Sequence, residues 1–272
     1  MIFIFLHSLV SAIAQPGPGG NSWGGNVGGN TLSGGSNNKL LKVKLFLEGP
    51  FNGTQMNSAL YSLGLLPANQ PFNIPPWNYA GTESVTVFPP QTVDWVLVDL
   101  RDAPSAEWAT PATRLPGWPK AFLLNSEGYI TGFDGYLPGM GNPTISHQLF
   151  IVIRTRTHVD VMSASGLGLS NDQYVYDFTD NASKAYGGLS VVKNLAPGVY
   201  GLMAGDADAD GNVFTSDYNI WSAEFGSSNV YSPADFDYDG HVFTSDFNLW
   251  SASFGISWPI NRPFIPKDLI GN

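Results

Sequence analysis

Between residues 39 and 204, apolar and polar residues alternate along short segments that glycine or proline interrupts. Alternation with a period of two is typical of half-buried strands, because successive side chains of a strand point to opposite faces of a sheet. The segments with this pattern are 41–48, 85–88, 93–100, 121–124, 129–133, 148–162, 174–178, 189–192 and 199–203. One short helix is predicted at 56–63. So many strands with short connections predict an antiparallel β-sandwich over residues 39–204.

The pattern becomes helical in two segments near the end of the chain. In each segment three aromatic residues lie at positions i, i+3 and i+7, which places them on one face of a helix. They are Tyr218, Trp221 and Phe225 in the first segment, and Phe247, Trp250 and Phe254 in the second. Gly226 and Gly255 follow these segments as C-terminal helix caps. The predicted fold class is therefore mainly β, with a small α module at 205–255.

The two helical segments belong to an internal duplication. Residues 206–226 and 235–255 are identical at 15 of 21 aligned positions, so the second copy follows the first at an offset of 29 residues. Each copy has aspartate at positions 1, 3, 5 and 12 of a loop and glycine at position 6. The aspartates are Asp206, Asp208, Asp210 and Asp217 in the first loop, and Asp235, Asp237, Asp239 and Asp246 in the second.

This spacing predicts two calcium sites, one in each loop. A hard cation such as Ca²⁺ takes about six to eight oxygen ligands, and alternate residues of a tight loop can direct carboxylates toward one point. Glycine at position 6 permits the sharp turn. Position 7 contributes its main-chain carbonyl, so Asn212 and His241 can differ in side chain. The aspartate at position 12 closes the site and begins a helix, where its charge suits the helix dipole.

Two further loop positions carry predictions of their own. Val213 and Val242 at position 8 are expected to pair the two loops through a short β contact and to face the core. Position 9 is phenylalanine in both copies, Phe214 and Phe243, and its side chain offers no oxygen for a cation or for a bridging water. We therefore expect both rings to pack in a small core or against a partner.

The duplicated loop with one following helix resembles the type I dockerin module over residues 205–255. The resemblance implies an EF-hand-like, calcium-stabilised module that docks onto a cohesin domain. The residues at the family's recognition positions are Thr215, Ser216, Thr244 and Ser245. Dockerins commonly have asparagine at position 9, so Phe214 and Phe243 depart from the family at a point that bears on the cohesin partner. The preceding segment, 195–206, is similar to the joint before such repeats in large bacterial surface proteins.

The two ends of the chain differ in composition from its middle. Residues 1–14 are an apolar run that ends in a small-x-small pattern, which predicts a signal peptide and a secreted, extracellular or cell-surface protein. Residues 15–38 are rich in glycine and asparagine and are expected to form a flexible arm, or a segment that orders on a partner. No other segment is long and apolar enough to predict a transmembrane helix. The tail, 256–272, is rich in proline and large apolar residues and is expected to pack on its own chain or on a neighbour.

Charge and composition exclude several classes of function. The chain of 272 residues has 12 basic and 22 acidic residues, a net charge of -10 and no cysteine. A surplus of acid argues against binding nucleic acid, and the lack of cysteine excludes disulfides, thiolate metal sites and thiol nucleophiles. Eight of the 22 acidic residues lie in the two loops, so the rest of the chain is nearly neutral.

The sequence favours a non-catalytic function. No pair of carboxylates has a spacing that marks a glycosidase, and no nucleophile or phosphate-binding motif is present. The leading hypothesis is a secreted, calcium-binding assembly protein whose repeats attach to a cohesin-like domain or to the sandwich of an identical subunit, giving a homo-oligomer or polymer. The alternatives are a carbohydrate-binding adhesin that uses loop tryptophans at 77, 108 and 118, and a dockerin-bearing component of a polysaccharide-degrading system.

Overall fold

The computed structural model describes residues 38–257. The predicted signal peptide, all but the last residue of the arm, and all but two residues of the tail lie outside this range. In chain order the strands are β1 (Lys39–Lys44), β2 (Thr92–Ala103), β3 (Lys120–Asn125), β4 (Ile130–Thr131), β5 (Gly139–Gly141), β6 (Gln148–Arg154), β7 (Val161–Met162), β8 (Gly168–Ser170), β9 (Gln173–Asp177), β10 (Val192–Ala196) and β11 (Val199–Leu202). The α-helices are α1 (Ala59–Ser62), α2 (Thr215–Glu224) and α3 (Thr244–Ser253).

The largest sheet has five strands in the order β4-β3-β2-β6-β7 and is antiparallel throughout. Its central strand β2 has 12 residues, nearly all buried. That strand is rich in valine and leucine, which suit a pleated surface covered on both faces. The prediction of strands within 93–100, 121–124 and 148–162 is confirmed by β2, β3 and β6.

A second sheet has four strands in the order β5-β1-β9-β8. Its pair β1–β9 is parallel, with Leu40 opposite Gln173 and Lys44 opposite Asp177, so the expectation of a purely antiparallel arrangement is wrong for this pair. Parallel neighbours need a long crossover connection. Here the five-stranded sheet lies in that connection, which is why local patterning could not reveal the pairing.

One hydrophobic core is shared by side chains of both sheets. Leu41 and Val43 of β1 belong to the same buried cluster as Val96 and Val98 of β2 and Ile151 of β6. Each fully buried aliphatic side chain of this kind contributes about 1.5–3 kcal/mol by removing apolar surface from water. The described part of the chain is thus mainly β, with several sheets and few helices, and is consistent with a β-sandwich.

The opposite face of the five-stranded sheet is also covered. Trp95 and Leu97 of β2 pack with Leu123 of β3 in a second cluster, to which Phe72 and Val85 contribute. The predicted strand 85–88 is absent from the structure, and Val87 is 79% exposed. Prolines at 89 and 90 follow immediately, and proline cannot donate to a β ladder.

The hairpin of β10 and β11 leads into the repeats, which contact the β region directly. The main-chain N–H of Gly205 donates to Thr157 at 3.0 Å, and the Asn57 side chain donates to the carbonyl of Asp237 at 3.3 Å. Tyr238, inside the second loop, is 1% exposed and belongs to the shared core. No helix among residues 38–257 has the length and apolar character needed to cross a membrane.

Candidate metal centres

The first loop brings three carboxylates to one point. One oxygen from each of Asp206, Asp208 and Asp210 lies within 4.8 Å of the others. The turn that allows this uses a left-handed backbone at Ala209, with φ of 52°, and at Gly211, with φ of 78°. Glycine adopts this conformation without a steric penalty, which explains its place at position 6.

The second loop repeats this geometry. Asp235, Asp237 and Asp239 place one oxygen each within 4.8 Å of one another, and Tyr238 and Gly240 have φ of 60° and 86°. A Cβ at Gly240 would also meet the side chain of Leu65 at 2.7 Å. The left-handed backbone therefore favours glycine at this position, and a Cβ there would also require the Leu65 side chain to shift.

Main-chain N–H groups fix the orientation of the carboxylates in the same way in both copies. The N–H of Gly211 donates to Asp206 Oδ2 at 2.8 Å, and the N–H of Gly240 donates to Asp235 Oδ2 at 3.1 Å. The loop turns tightly because each position-1 carboxylate bonds across it to position 6.

The aspartate at position 12 has a structural role that spacing alone did not reveal. Asp217 is fully buried, and its Oδ2 accepts from the N–H of Phe214 at 2.8 Å while its Oδ1 accepts from the N–H of Ala207 at 2.8 Å. Asp246 makes the equivalent bonds to the N–H groups of Phe243 and Phe236, at 2.8 and 2.7 Å. Each of these carboxylates therefore ties the first turn of a helix to the start of its loop.

The two position-7 residues use their side chains elsewhere. The Asn212 amide donates to Asp210 at 3.0 Å and accepts from Ser257 at 2.7 Å. The His241 ring stacks on Phe243 with centroids 5.5 Å apart. This arrangement leaves the main-chain carbonyl as the ligand that position 7 would offer, and that role stays a prediction.

Burial and mutual repulsion make these carboxylates costly to ionise without a cation. Burial is the main cause that raises the pKa of Asp206 well above its ordinary value, and the neighbouring Asp160 and Asp217 raise it further. Burial raises the pKa of Asp235 to about 8, although Arg156 opposes the shift. Burial also raises the pKa values of Asp217 and Asp246 to about 6 each. A bound cation stabilises the ionised form of such buried carboxylates, because it replaces the hydration that they lose on burial.

The donor set fits a hard divalent cation. Asp206 Oδ1 is buried and has no hydrogen-bond partner among the described residues. A buried carboxylate oxygen left without a donor is expensive, and a metal ligand role would satisfy it. The set consists of oxygen atoms only, which is the preference of Ca²⁺ rather than of a soft transition metal.

The two position-8 valines do not pair with each other, so that prediction is wrong. The N–H of Val213 donates to Ile256 at 2.9 Å, and its carbonyl accepts from Gly255 at 2.9 Å. Val242 is bonded in the same way to Gly226 and Ser227, at 2.9 and 3.0 Å. Each valine thus pairs with the chain that follows the other repeat's helix. Both side chains are fully buried, as predicted.

A continuous aromatic face covers the two helices. Its members are Phe214, Tyr218, Trp221, Phe225, Phe243, Phe247, Trp250 and Phe254. Phe214 lies against Phe254 and Phe225 against Phe243, with centroids 6.3 and 6.4 Å apart. These four rings remain 40–55% exposed. The phenylalanines at position 9 therefore extend the apolar surface of the helices rather than filling a core.

The predicted partner-binding hydroxyls lie beside this face. Thr215, Ser216, Thr244 and Ser245 are all exposed and occupy the first turns of α2 and α3.

The loop tryptophans differ from one another in their exposure to solvent. Trp118 is only 8% exposed and packs near Phe122, whereas Trp108 is 65% exposed. Trp118 is thus unavailable to a sugar-binding platform.

Comparison with known proteins leaves the family open. No protein-family model and no curated protein matches the chain. A solved chain of an N-terminal interface mutant of the type II cohesin–X–dockerin complex from Acetivibrio cellulolyticus is 11% identical, with a TM-score of 0.36 over 80% of this chain and 93% of that one. A C-terminal interface mutant of the same complex is 13% identical, with a TM-score of 0.30 over 59% and 81%. Similarity at this level establishes neither a shared fold nor a shared partner.

Proposed function

We propose that this chain is a secreted, non-catalytic, calcium-binding assembly protein whose C-terminal repeats form a dockerin-like module that attaches to another protein domain. The observation that carries the proposal is the coupling of two features in each repeat. The buried aspartate at position 12 fixes both the carboxylate loop and the first helical turn, and that turn presents the exposed Thr-Ser pair beside the aromatic face.

Calcium is the cofactor in this proposal, with two ions per chain. The ligands are Asp206, Asp208, Asp210 and Asp217 with the carbonyl of Asn212, and Asp235, Asp237, Asp239 and Asp246 with the carbonyl of His241. When bound, each ion offsets the burial, and after it the neighbouring carboxylates, that raise the pKa of Asp206 and of Asp235. The ion would hold the loop in the conformation from which the helix begins.

The aromatic face supplies the chemistry of a protein-binding surface. Exposed aromatic rings are enriched in protein interfaces, where they contribute much of the binding energy. Phe225 and Phe254 are 55% and 54% exposed, so the two halves of the face present nearly equal surfaces. A partner could therefore engage either half. The partner we propose is a cohesin-like domain or the β region of an identical subunit.

Sedimentation velocity of the full chain tests this proposal, with calcium and with chelator, alone and with a panel of cohesin domains. We expect calcium-dependent association that Ser216→Arg with Ser245→Arg abolishes. Ser170→Arg with Ser190→Arg is the matched control, because both serines are exposed outside the repeats and the charge change is equal. A chain that stays monomeric and binds no cohesin with calcium present would refute the docking function.

A further inference from the structure

A proline-lined groove lies where the β region meets the first calcium loop. Its volume is about 540 Å³, within the range of roughly 300–1,000 Å³ typical of ligand sites. Five prolines line it, together with Ile74 and the rings of Trp77 and Tyr231. Ala207 and Asp208 of the first loop form its border. We call this feature the proline groove.

A buried guanidinium on the wall of the groove has unused hydrogen-bond donors. Arg156 is 5% exposed and lies between the rings of Tyr231 and Tyr238, at 4.1 and 4.7 Å from their centroids. Its Nε donates to Asp94 at 3.3 Å, but its two terminal nitrogens have no hydrogen-bond partner among the described residues. Buried donors are almost always satisfied in native proteins. Both nitrogens are enclosed by the surrounding side chains, so they belong to the structure behind the groove wall and are not reached from the groove.

The chemistry of the groove defines its ligand. Apolar walls of proline and aromatic rings suit an extended, proline-containing peptide, because aromatic-lined grooves bind proline-rich segments in the polyproline II conformation. A polyproline II segment makes no internal hydrogen bonds, so its carbonyls are available to outside donors.

We infer that the proline groove binds the chain's own C-terminal segment, residues 258–272. This segment contains Pro263 and Pro266, which are three residues apart in the sequence, and a polyproline II helix has three residues per turn. Pro259 and six large apolar residues accompany them: Trp258, Ile260, Phe264, Ile265, Leu269 and Ile270. Its composition therefore matches the walls of the groove.

The described chain ends at the first calcium loop, two residues of which border the groove. The hydroxyl of Ser257 donates to Asn212 Oδ1 at 2.7 Å, and these two residues also form an isolated β-bridge. Asn212 is four residues from Asp208, so it lies at most about 14 Å from the groove border along the chain. A handful of extended residues after Ser257 is enough to reach the site.

A cross-linking experiment on the full chain tests this inference. Because the sequence has no cysteine, only the introduced cysteines can react with the cross-linker. Ile74→Cys is combined with Lys267→Cys, and a short bismaleimide is added in calcium. Ile74 is 56% exposed on the groove wall. We expect a product of monomer mass that joins the two cysteines, identified by peptide mass spectrometry. The matched control is Leu189→Cys with Lys267→Cys, because Leu189 is 64% exposed and lies outside the groove lining.

A second variant separates specific docking from chance proximity. Pro263→Ala with Pro266→Ala, added to the Ile74→Cys pair, leaves residues 38–257 unchanged. The rate of cross-linking should fall roughly tenfold if the two proline rings together contribute about 1.4 kcal/mol to docking. A rate no higher than that of the Leu189 control, or one indifferent to the prolines, would overturn the inference. A product of dimer mass would also overturn it, by showing that the groove takes this segment from a second copy.

Discussion

The indole Nε1–H of Trp221 donates a hydrogen bond of 3.0 Å to the main-chain carbonyl of Phe243. Trp250 makes the matching bond of 3.0 Å to the carbonyl of Phe214. Each tryptophan lies in the helix of one repeat, and each carbonyl lies where the other repeat's loop passes into its helix. These two hydrogen bonds therefore connect the repeats at their loop–helix junctions. Each junction is stabilised by a side chain from the helix of the other repeat.

Removal of one of these indole donors should destabilise the repeats measurably. Trp221→Phe keeps most of the ring packing but removes the N–H, and we expect a loss of about 0.5–1.5 kcal/mol in the free energy of unfolding. Trp250→Phe should have a similar effect because its bond is equivalent. Trp108→Phe is the control, since that ring is 65% exposed and should change stability little. Urea unfolding in calcium measures all three, and equal stability of the Trp221 and control variants would contradict the expectation.

The effect of neutralising a position-1 carboxylate should reverse sign with calcium. Asp235 is fully buried, and its pKa is raised to about 8 by burial above all. Without calcium, Asp235→Asn removes an unfavourable buried charge and should raise or maintain the melting temperature at pH 8 and above. With calcium, the same change removes a ligand, and affinity at the second site should fall by at least about tenfold to a hundredfold. Thermal unfolding in chelator and in calcium measures both effects.

Asp134→Asn is the control for that experiment, because Asp134 is exposed and lies outside both loops. Its melting temperature should respond to calcium as the parent chain does. If Asp235→Asn lowered stability equally in chelator and in calcium, the carboxylate would have a structural role that does not involve a cation.

The calcium-free chain should lose stability as pH rises from about 4 to 8. The folded-state pKa is raised to about 8 for Asp235 and to about 6 for Asp217 and Asp246, above the ordinary 3.8. For a carboxyl group with a raised pKa the folded state holds the proton more tightly, so stability is greatest below the unfolded pKa and is lost as pH rises through the folded pKa. Unfolding in chelator across this range measures the slope.

Calcium should reverse that slope, because the ion competes with protons for the same carboxylates. Unfolding at fixed excess calcium should therefore show stability that increases with pH over the same interval. Parallel slopes with and without the ion would mean that calcium does not bind these groups.

The local part of this structure was predictable and the long-range part was not. The convergence of Asp206, Asp208 and Asp210 depends on the turn of one short loop, so spacing alone predicted it. The pairing of Val213 with Ile256 joins the first repeat to the residue that follows the second repeat, and no local pattern encodes it. The parallel contact of β1 with β9 was missed for the same reason.

Two short strands and one functional detail were also missed. β5 and β8 have three residues each, too few to show an alternating pattern. The sequence predicted Asp217 as a ligand and a charge at the helix start, but not its bonds to Ala207 and Phe214. Those bonds require the loop to fold back on the helix, which only the tertiary structure shows.

Isothermal titration of the full chain with calcium is the direct test of calcium binding by the two loops. We expect two ions per chain, and an added stability of about 2.7 kcal/mol per site at a hundredfold excess over the dissociation constant. Asp206→Asn with Asp235→Asn should weaken calcium binding at both sites by at least about tenfold, whereas Asp134→Asn with Asp180→Asn should leave it unchanged. Absence of calcium uptake by the parent chain, or uptake whose affinity is unchanged by the loss of Asp206 and Asp235, would contradict this expectation.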